Sequence, residues 1–83
     1  MIVKDMNLEG FHYYENCIGE DGTFTYVKDD NEDDFIDINI NPLTTMCVIE
    51  PHIGCSRVYI DVMPFTGKLN LENRIKTIIE NYM

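Results

Sequence analysis

The closing stretch NLENRIKTIIENYM, residues 70–83, places Leu71, Ile75, Ile78, Ile79, Tyr82 and Met83 at spacings of three and four. That spacing predicts one helix with a single apolar stripe. Such a stripe has to be buried against another layer, which limits the chain to a few architectures. Asn70 suits an N-cap, and Glu72 in the first turn suits the positive end of the helix. Glu72 and Lys76 form a favourable i,i+4 pair.

The residues before the helix supply strands. FIDINI (35–40) alternates, with Ile36, Ile38 and Ile40 on one side and Phe35, Asp37 and Asn39 on the other. NPLTT interrupts it, because Pro42 cannot donate to a ladder. MCVIE (46–50) is a short apolar strand, and PHIG turns the chain. RVYIDVM (57–63) alternates again, which predicts Val58, Ile60 and Val62 inward and Arg57, Tyr59 and Asp61 outward. Upstream, FHYYENCI (11–18) and TFTYVK (23–28) flank GEDG and read as a β-hairpin. A loop over residues 19–22 would set Ile18 opposite Thr23, Cys17 opposite Phe24, Glu15 opposite Tyr26 and Tyr13 opposite Lys28. MIVK at the start is a further short strand, closed by Gly10.

These elements predict an α+β fold. An antiparallel sheet of four to five strands carries the one C-terminal helix on one face. The other face is left open, with Phe35, Asp37, Asn39, Arg57, Tyr59 and Asp61 on it. At 83 residues the chain is expected to form one domain, 1–83, with a thin core.

Charge bounds the function. Fifteen acids against six basic residues give a net charge of −9. Nucleic-acid backbones and anionic membranes draw affinity from Lys and Arg, so direct binding to either is disfavoured. Basic protein surfaces and cations remain as complementary partners. No apolar run approaches the roughly 20 residues needed to span a bilayer. The start is too short and too polar for a secretory signal, and the cysteines (Cys17, Cys47 and Cys55) are odd in number. Together these lead to the expectation of a cytoplasmic protein with free thiols.

The acids concentrate in DDNEDDFIDINI (29–40), where six carboxylates fall within nine residues. Five of them occupy residues 29–34. Extended, that segment carries one charge per roughly 4 Å, close to the about 3.4 Å spacing of phosphates along one strand of a duplex. No Lys or Arg occurs from Asp29 through Ser56. The segment reads either as a solvated loop that blunts a sheet edge or as a partner surface. An EF-hand is rejected: Asp29, Asn31 and Asp33 fit its first ligand positions, but Asp34 stands where glycine is needed and Ile40 where the bidentate Glu belongs.

Two further chemistries involve cysteine and histidine. Cys47, His52 and Cys55 have C-x4-H-x2-C spacing, with Cys17 or His12 as a conceivable fourth zinc ligand, yet no C-x2-C knuckle is present. Buried cysteines acting as small hydrophobes account for the same residues. Cys47 or Cys55 with His52 or His12 could make a nucleophile and base, but no motif orients them, and a chain this short has little room for an enclosed pocket. The expectation is therefore no enzyme, no cofactor and no bound metal.

The function this charge favours is a small acidic binding or inhibitor protein. It would occlude a basic surface of a nucleic-acid-handling protein, in the manner of a nuclease inhibitor, an immunity protein or an anti-defence protein of a phage or mobile element. The contact residues expected are Asp29, Asp30, Glu32, Asp33, Asp34, Phe35, Asp37, Tyr59 and Asp61. The alternatives are a structural or adaptor domain that forms a homodimer through a strand edge, and a metal-stabilised module built on Cys47, His52 and Cys55.

Overall fold

The isoleucine alternation of residues 35–40 becomes the middle of the sheet. In the computed structural model, which describes residues 3–14 and 22–83, strand β3 (Asn31–Ile40) lies between β2 (Thr23–Lys28) and β4 (Met46–Ile53). β1 (Phe11–Tyr13) pairs with β2. Beyond β4 lie two short pieces, β5 (Ser56–Arg57) and β6 (Asp61–Pro64), which pair with opposite ends of β4. Every pairing is antiparallel, and one helix, α1 (Lys68–Tyr82), ends the chain. This is the α+β architecture that the patterns predict.

One face of the sheet and the helix bury each other. Ile36, Ile38 and Ile40 from β3 and Cys47 and Ile49 from β4 meet Leu71, Ile75 and Ile78 from α1. Each such aliphatic side chain contributes about 1.5–3 kcal/mol on burial. Residues 3–8 complete the core: Val3, Met6 and Leu8 are buried, the Tyr26 hydroxyl donates to the Val3 carbonyl, and Asn7 N–H donates to Glu72 Oε2 at 3.1 Å. Val3 and Lys4 are not in a strand, and the first two residues of MIVK lie outside the described residues.

The helix begins earlier than its sequence signals predict. Gly67 is the N-cap, at φ 151°, and no side chain caps the first turn. Asn70 therefore lies inside the first turn, where its amide donates to Thr66 Oγ1 at 2.6 Å. Glu72 falls in the second turn and works locally instead. The Asn7 amide, then Lys76 at 3.1 Å, hold its carboxyl below the ordinary value.

Two registers differ from expectation. In the first hairpin Tyr13 lies opposite Tyr26, and Lys28 opposite Phe11. This is a slip of two, which keeps every face but changes partners. It brings Tyr13 against Tyr26 edge-on at 5.9 Å between ring centres, a favourable aromatic contact. The pairs proposed through Glu15, Cys17 and Ile18 lie outside the described residues.

The second difference is at RVYIDVM, which is not one strand. Arg57 pairs with His52 and Asp61 with Ile49, so four steps along this segment match three along β4. The extra residue is a β-bulge at Tyr59 and Ile60, and it turns the remainder over. Asp61 is 8% exposed on the helix face, Tyr59 and Met63 pack on the core, and Ile60 and Val62 are 47% and 53% exposed. Ile60 and Val62 of the predicted inward set therefore face out; Val58, 42% exposed, precedes the bulge and its N–H donates to Pro51 O at 3.0 Å.

The β6 edge is also guarded. Phe65 N–H donates to Thr45 O at 2.8 Å, so residues 61, 63 and 65 bond toward β4 and Val62 and Pro64 point away. Val62 N–H donates to the Asp61 side chain at 3.1 Å, and Pro64 has no N–H. Neither position offers a free donor to another strand.

Candidate functional site

The acidic segment is built into a hairpin rather than hung from it. Asp29 and Asp30 form the β2–β3 turn. Asn31 pairs with Lys28, and the next pair is Phe35 with Val27. β2 advances one residue while β3 advances four, so Glu32, Asp33 and Asp34 bulge from the ladder. The bulge is tied internally. Asn31 Oδ1 accepts from Asp33 N–H at 3.0 Å, and Asn31 Nδ2 donates to Asp34 Oδ2 at 3.2 Å.

It is tied across the sheet as well, to the turn between β4 and β5. Gly54 and Cys55 both adopt left-handed backbone, at φ 57° and 66°, which fits a two-residue hairpin loop of type I′. Cys55 N–H donates to Asp33 O at 2.8 Å, and Gly54 N–H donates to Asp34 Oδ1 at 2.9 Å. Cys55 Sγ donates to Asp33 Oδ1 at 3.3 Å. That bond, some desolvation and the charges of Asp33 and Asp34 raise the Cys55 thiol above its ordinary value. On the other flank His12 Nδ1 meets Asp29 Oδ1 at 2.6 Å, and Asp29 N–H donates to Gly10 O at 3.1 Å.

One end of the sheet is thus an ordered anionic rim. Asp29, Asp30, Glu32 and Asp33 are exposed and Asp34 is half-buried. Among the described residues, no Lys or Arg forms an ion pair with any of them; Arg57, Arg74 and Lys76 pair with Glu50, Asp61 and Glu72.

The other expected contact residues divide. Phe35 and Asp37 are half-buried on the face away from the helix. Phe35 stacks on His52 at 4.4 Å, and Asp37 Oδ1 accepts from Thr25 Oγ1 at 2.8 Å. Tyr59 and Asp61 do not join that face. Asp61 is gripped by Arg74, Nε to Oδ2 at 2.6 Å and Nη2 to Oδ1 at 2.9 Å. Tyr59 stacks on Tyr82 at 4.2 Å. The bulge at residues 59–60 moved both, and alternation alone carries no sign of it. The same bulge leaves Ile60 and Val62 exposed, which the sequence pattern does not reveal.

The zinc spacing does not become a site. Cys47 is fully buried on the helix face, while His52, five residues on, stacks on the opposite face. Cys55 lies in the turn past the far end of β4, about 20 Å of strand from Cys47. The three side chains cannot converge on one ion. Nor does either thiol meet a base: His52 Nδ1 lies 2.9 Å from its neighbour carbonyl, Glu50 O, and His12 Nδ1 is on Asp29. Burial and the Asp61 charge push the Cys47 thiol up to about 11.

No helix among the described residues is long and apolar enough to cross a membrane. Comparison of the chain with protein-family models, with curated proteins and with solved structures returns no match.

Proposed function

We propose that this protein is a cytoplasmic acidic binder that occludes a basic, nucleic-acid-handling surface on another protein, as a nuclease inhibitor or an immunity or anti-defence protein does. The observation that supports it is the fixed anionic rim. Its carboxylates are held by backbone pairing and by the Gly54–Cys55 turn, and among the described residues no Lys or Arg is paired to them. Charge ordered before encounter needs little rearrangement on binding. A field of this kind speeds association about 10- to 1,000-fold at low salt.

Asp29, Asp30, Glu32 and Asp33 form the contact, with Asp34 and Phe35 behind them and Asp37 farther along the open face. Tyr59 and Asp61 drop out, because both are engaged with α1. The protein contributes electrostatic occlusion and no chemistry of its own.

The test uses Asp30→Asn with Glu32→Gln, a pair with no role in holding the Gly54–Cys55 turn. The bait is the full chain, and the captured material comes from the cell of origin. The expected result is a basic nucleic-acid-binding protein that is released by added DNA or RNA. Its association with the double variant should be about tenfold slower at low salt and converge with the parent at high salt. Equal rates for both chains, or a captured partner indifferent to nucleic acid, would overturn the reading.

A further inference from the structure

We propose that β6 has two registers, and that the Asp61–Arg74 ion pair is the lock that selects the observed one. In the observed register Asp61 lies opposite Ile49, Val62 opposite Val48 and Met63 opposite Cys47. Sliding β6 by one residue would absorb the bulge at residues 59–60. Ile60 would then face Ile49 and Val62 would face Cys47, both beneath the helix. Asp61 and Met63 would move to the open face, opposite Val48 and Met46.

The alternation of RVYIDVM favours that second register, because it brings Ile60 and Val62, now about half exposed, into the core in place of the buried Asp61 carboxylate and the partly buried Tyr59 and Met63. Little of the ladder resists the slide. β6 is four residues long, among the described residues it pairs with β4 alone, and residues 58–60 before it are outside any strand. A register specified this weakly is one that slips.

Three contacts hold the observed register. Arg74 Nη2 donates to Asp61 Oδ1 while its Nε lies 2.6 Å from Oδ2 as an ion pair without a hydrogen bond, and Tyr59 stacks on Tyr82. Third, the slide would place Pro64 opposite Thr45, whose carbonyl now accepts from Phe65 N–H. Proline has no proton to give it. Arg74 is the decisive contact, because without it Asp61 would be a buried charge lacking its counter-ion, and the slide is the cheapest way to return it to water.

Disulfide trapping with native Cys47 reads the register directly, since paired positions fall within bridging distance and a one-residue slip exchanges the partner. The full chain carries Cys17→Ser and Cys55→Ser, with either Met63→Cys or Val62→Cys, and is oxidised under native conditions. With Arg74 present, Met63→Cys should cross-link and Val62→Cys should not. Adding Arg74→Met should raise the Val62→Cys cross-link at least about tenfold while the far-ultraviolet circular dichroism stays native. Asp61→Asn, with Arg74 retained, asks the same question more gently should Arg74→Met fail to fold. A folded variant that cross-links only through position 63 would overturn the proposal. Unfolding of both variants would overturn it too, because sliding is the predicted escape from unfolding.

Discussion

β3 and β6 carry the same kind of sequence and behave differently. Each belongs to a run that alternates branched aliphatics with polar residues, FIDINI within β3 and RVYIDVM from β5 through the bulge into β6. In β3 the alternation decides the faces: Ile36, Ile38 and Ile40 are buried, and Phe35, Asp37 and Asn39 look outward. From the bulge into β6 it is overruled, leaving Ile60 and Val62 in solvent and Asp61 inside. The distinction is the number of constraints. β3 is held from both sides by ladders at least five pairs long, so a slip there would break both and expose three isoleucines. Among the described residues β6 pairs with β4 alone, and its position is set by the short connection to α1 and by the arginine on that helix. A period-two pattern therefore specifies a face only where enough hydrogen bonds share its register.

The largest test of that contrast is truncation of equivalent-looking residues. Ile38→Ala should destabilise the protein by about 2–5 kcal/mol, because the site is fully buried between β2 and β4 and cannot collapse. Val62→Ala should cost under about 0.5 kcal/mol. Urea unfolding with an unchanged m-value measures both. Similar losses at the two sites would mean that Val62 is covered in solution, and the contrast between the strands would fail.

A second, somewhat smaller effect tests how dry the interior is where these strands meet. Cys47 lies opposite Ile40 of β3 and Met63 of β6, and Tyr26 lies opposite Ile36. Burial, with the nearby Asp61 charge, raises the Cys47 thiol from 9.0 to about 11. Burial chiefly raises the Tyr26 phenol from 10.0 to about 12. The unfolded chain thus releases these protons at lower pH than the folded one. Their contribution is fully present below pH 9 for Cys47 and below pH 10 for Tyr26, and it is lost as pH rises through about 11 and about 12. Each group should account for roughly 2–3 kcal/mol of alkaline destabilisation. Denaturant titrations at stepped pH should show the fall beginning near pH 9, and Cys47→Ala should make its first part, between pH 9 and about 11, shallower. A flat profile up to about pH 11 would show water already reaching these groups.

Most of the scaffold was legible because its signals were periodic and pinned. The helical stripe was correctly read, as were the β3 faces and the α+β arrangement, since burying one continuous apolar surface leaves few alternatives. Positions set by a single residue were not legible. The helix start moved from Asn70 to Gly67 because an open backbone position at φ 151° can begin a helix without a side-chain cap. Tyr59 and Asp61 left the predicted surface because one bulged residue inverted them, and the partner that stabilises the inversion, Arg74, lies on a different element. The acidic residues were easily singled out by composition. Their order was not, because it comes from backbone donors on a turn 20 residues away in sequence, at Gly54 and Cys55.

That turn supplies the smallest and most local test, since the β3 bulge, unlike the β6 bulge, is pinned from outside its own ladder. Asp34 does two jobs: it adds to the anionic rim, and its Oδ1 accepts the Gly54 amide at 2.9 Å. Asp34→Ala should therefore destabilise the chain by about 0.5–1.5 kcal/mol, the combined worth of its exposed bonds to Gly54 and Asn31. Asp34→Asn keeps an acceptor oxygen and should retain most of that stability while removing the charge. Amide exchange at Gly54 and Cys55 should quicken in the alanine variant and stay near the parent rate in the asparagine variant. If both variants exchange like the parent, Asp34 is not what anchors the turn. The β3 bulge would then be as loosely specified as the one in front of β6, and the rim would lose the rigidity that distinguishes it from a solvated loop.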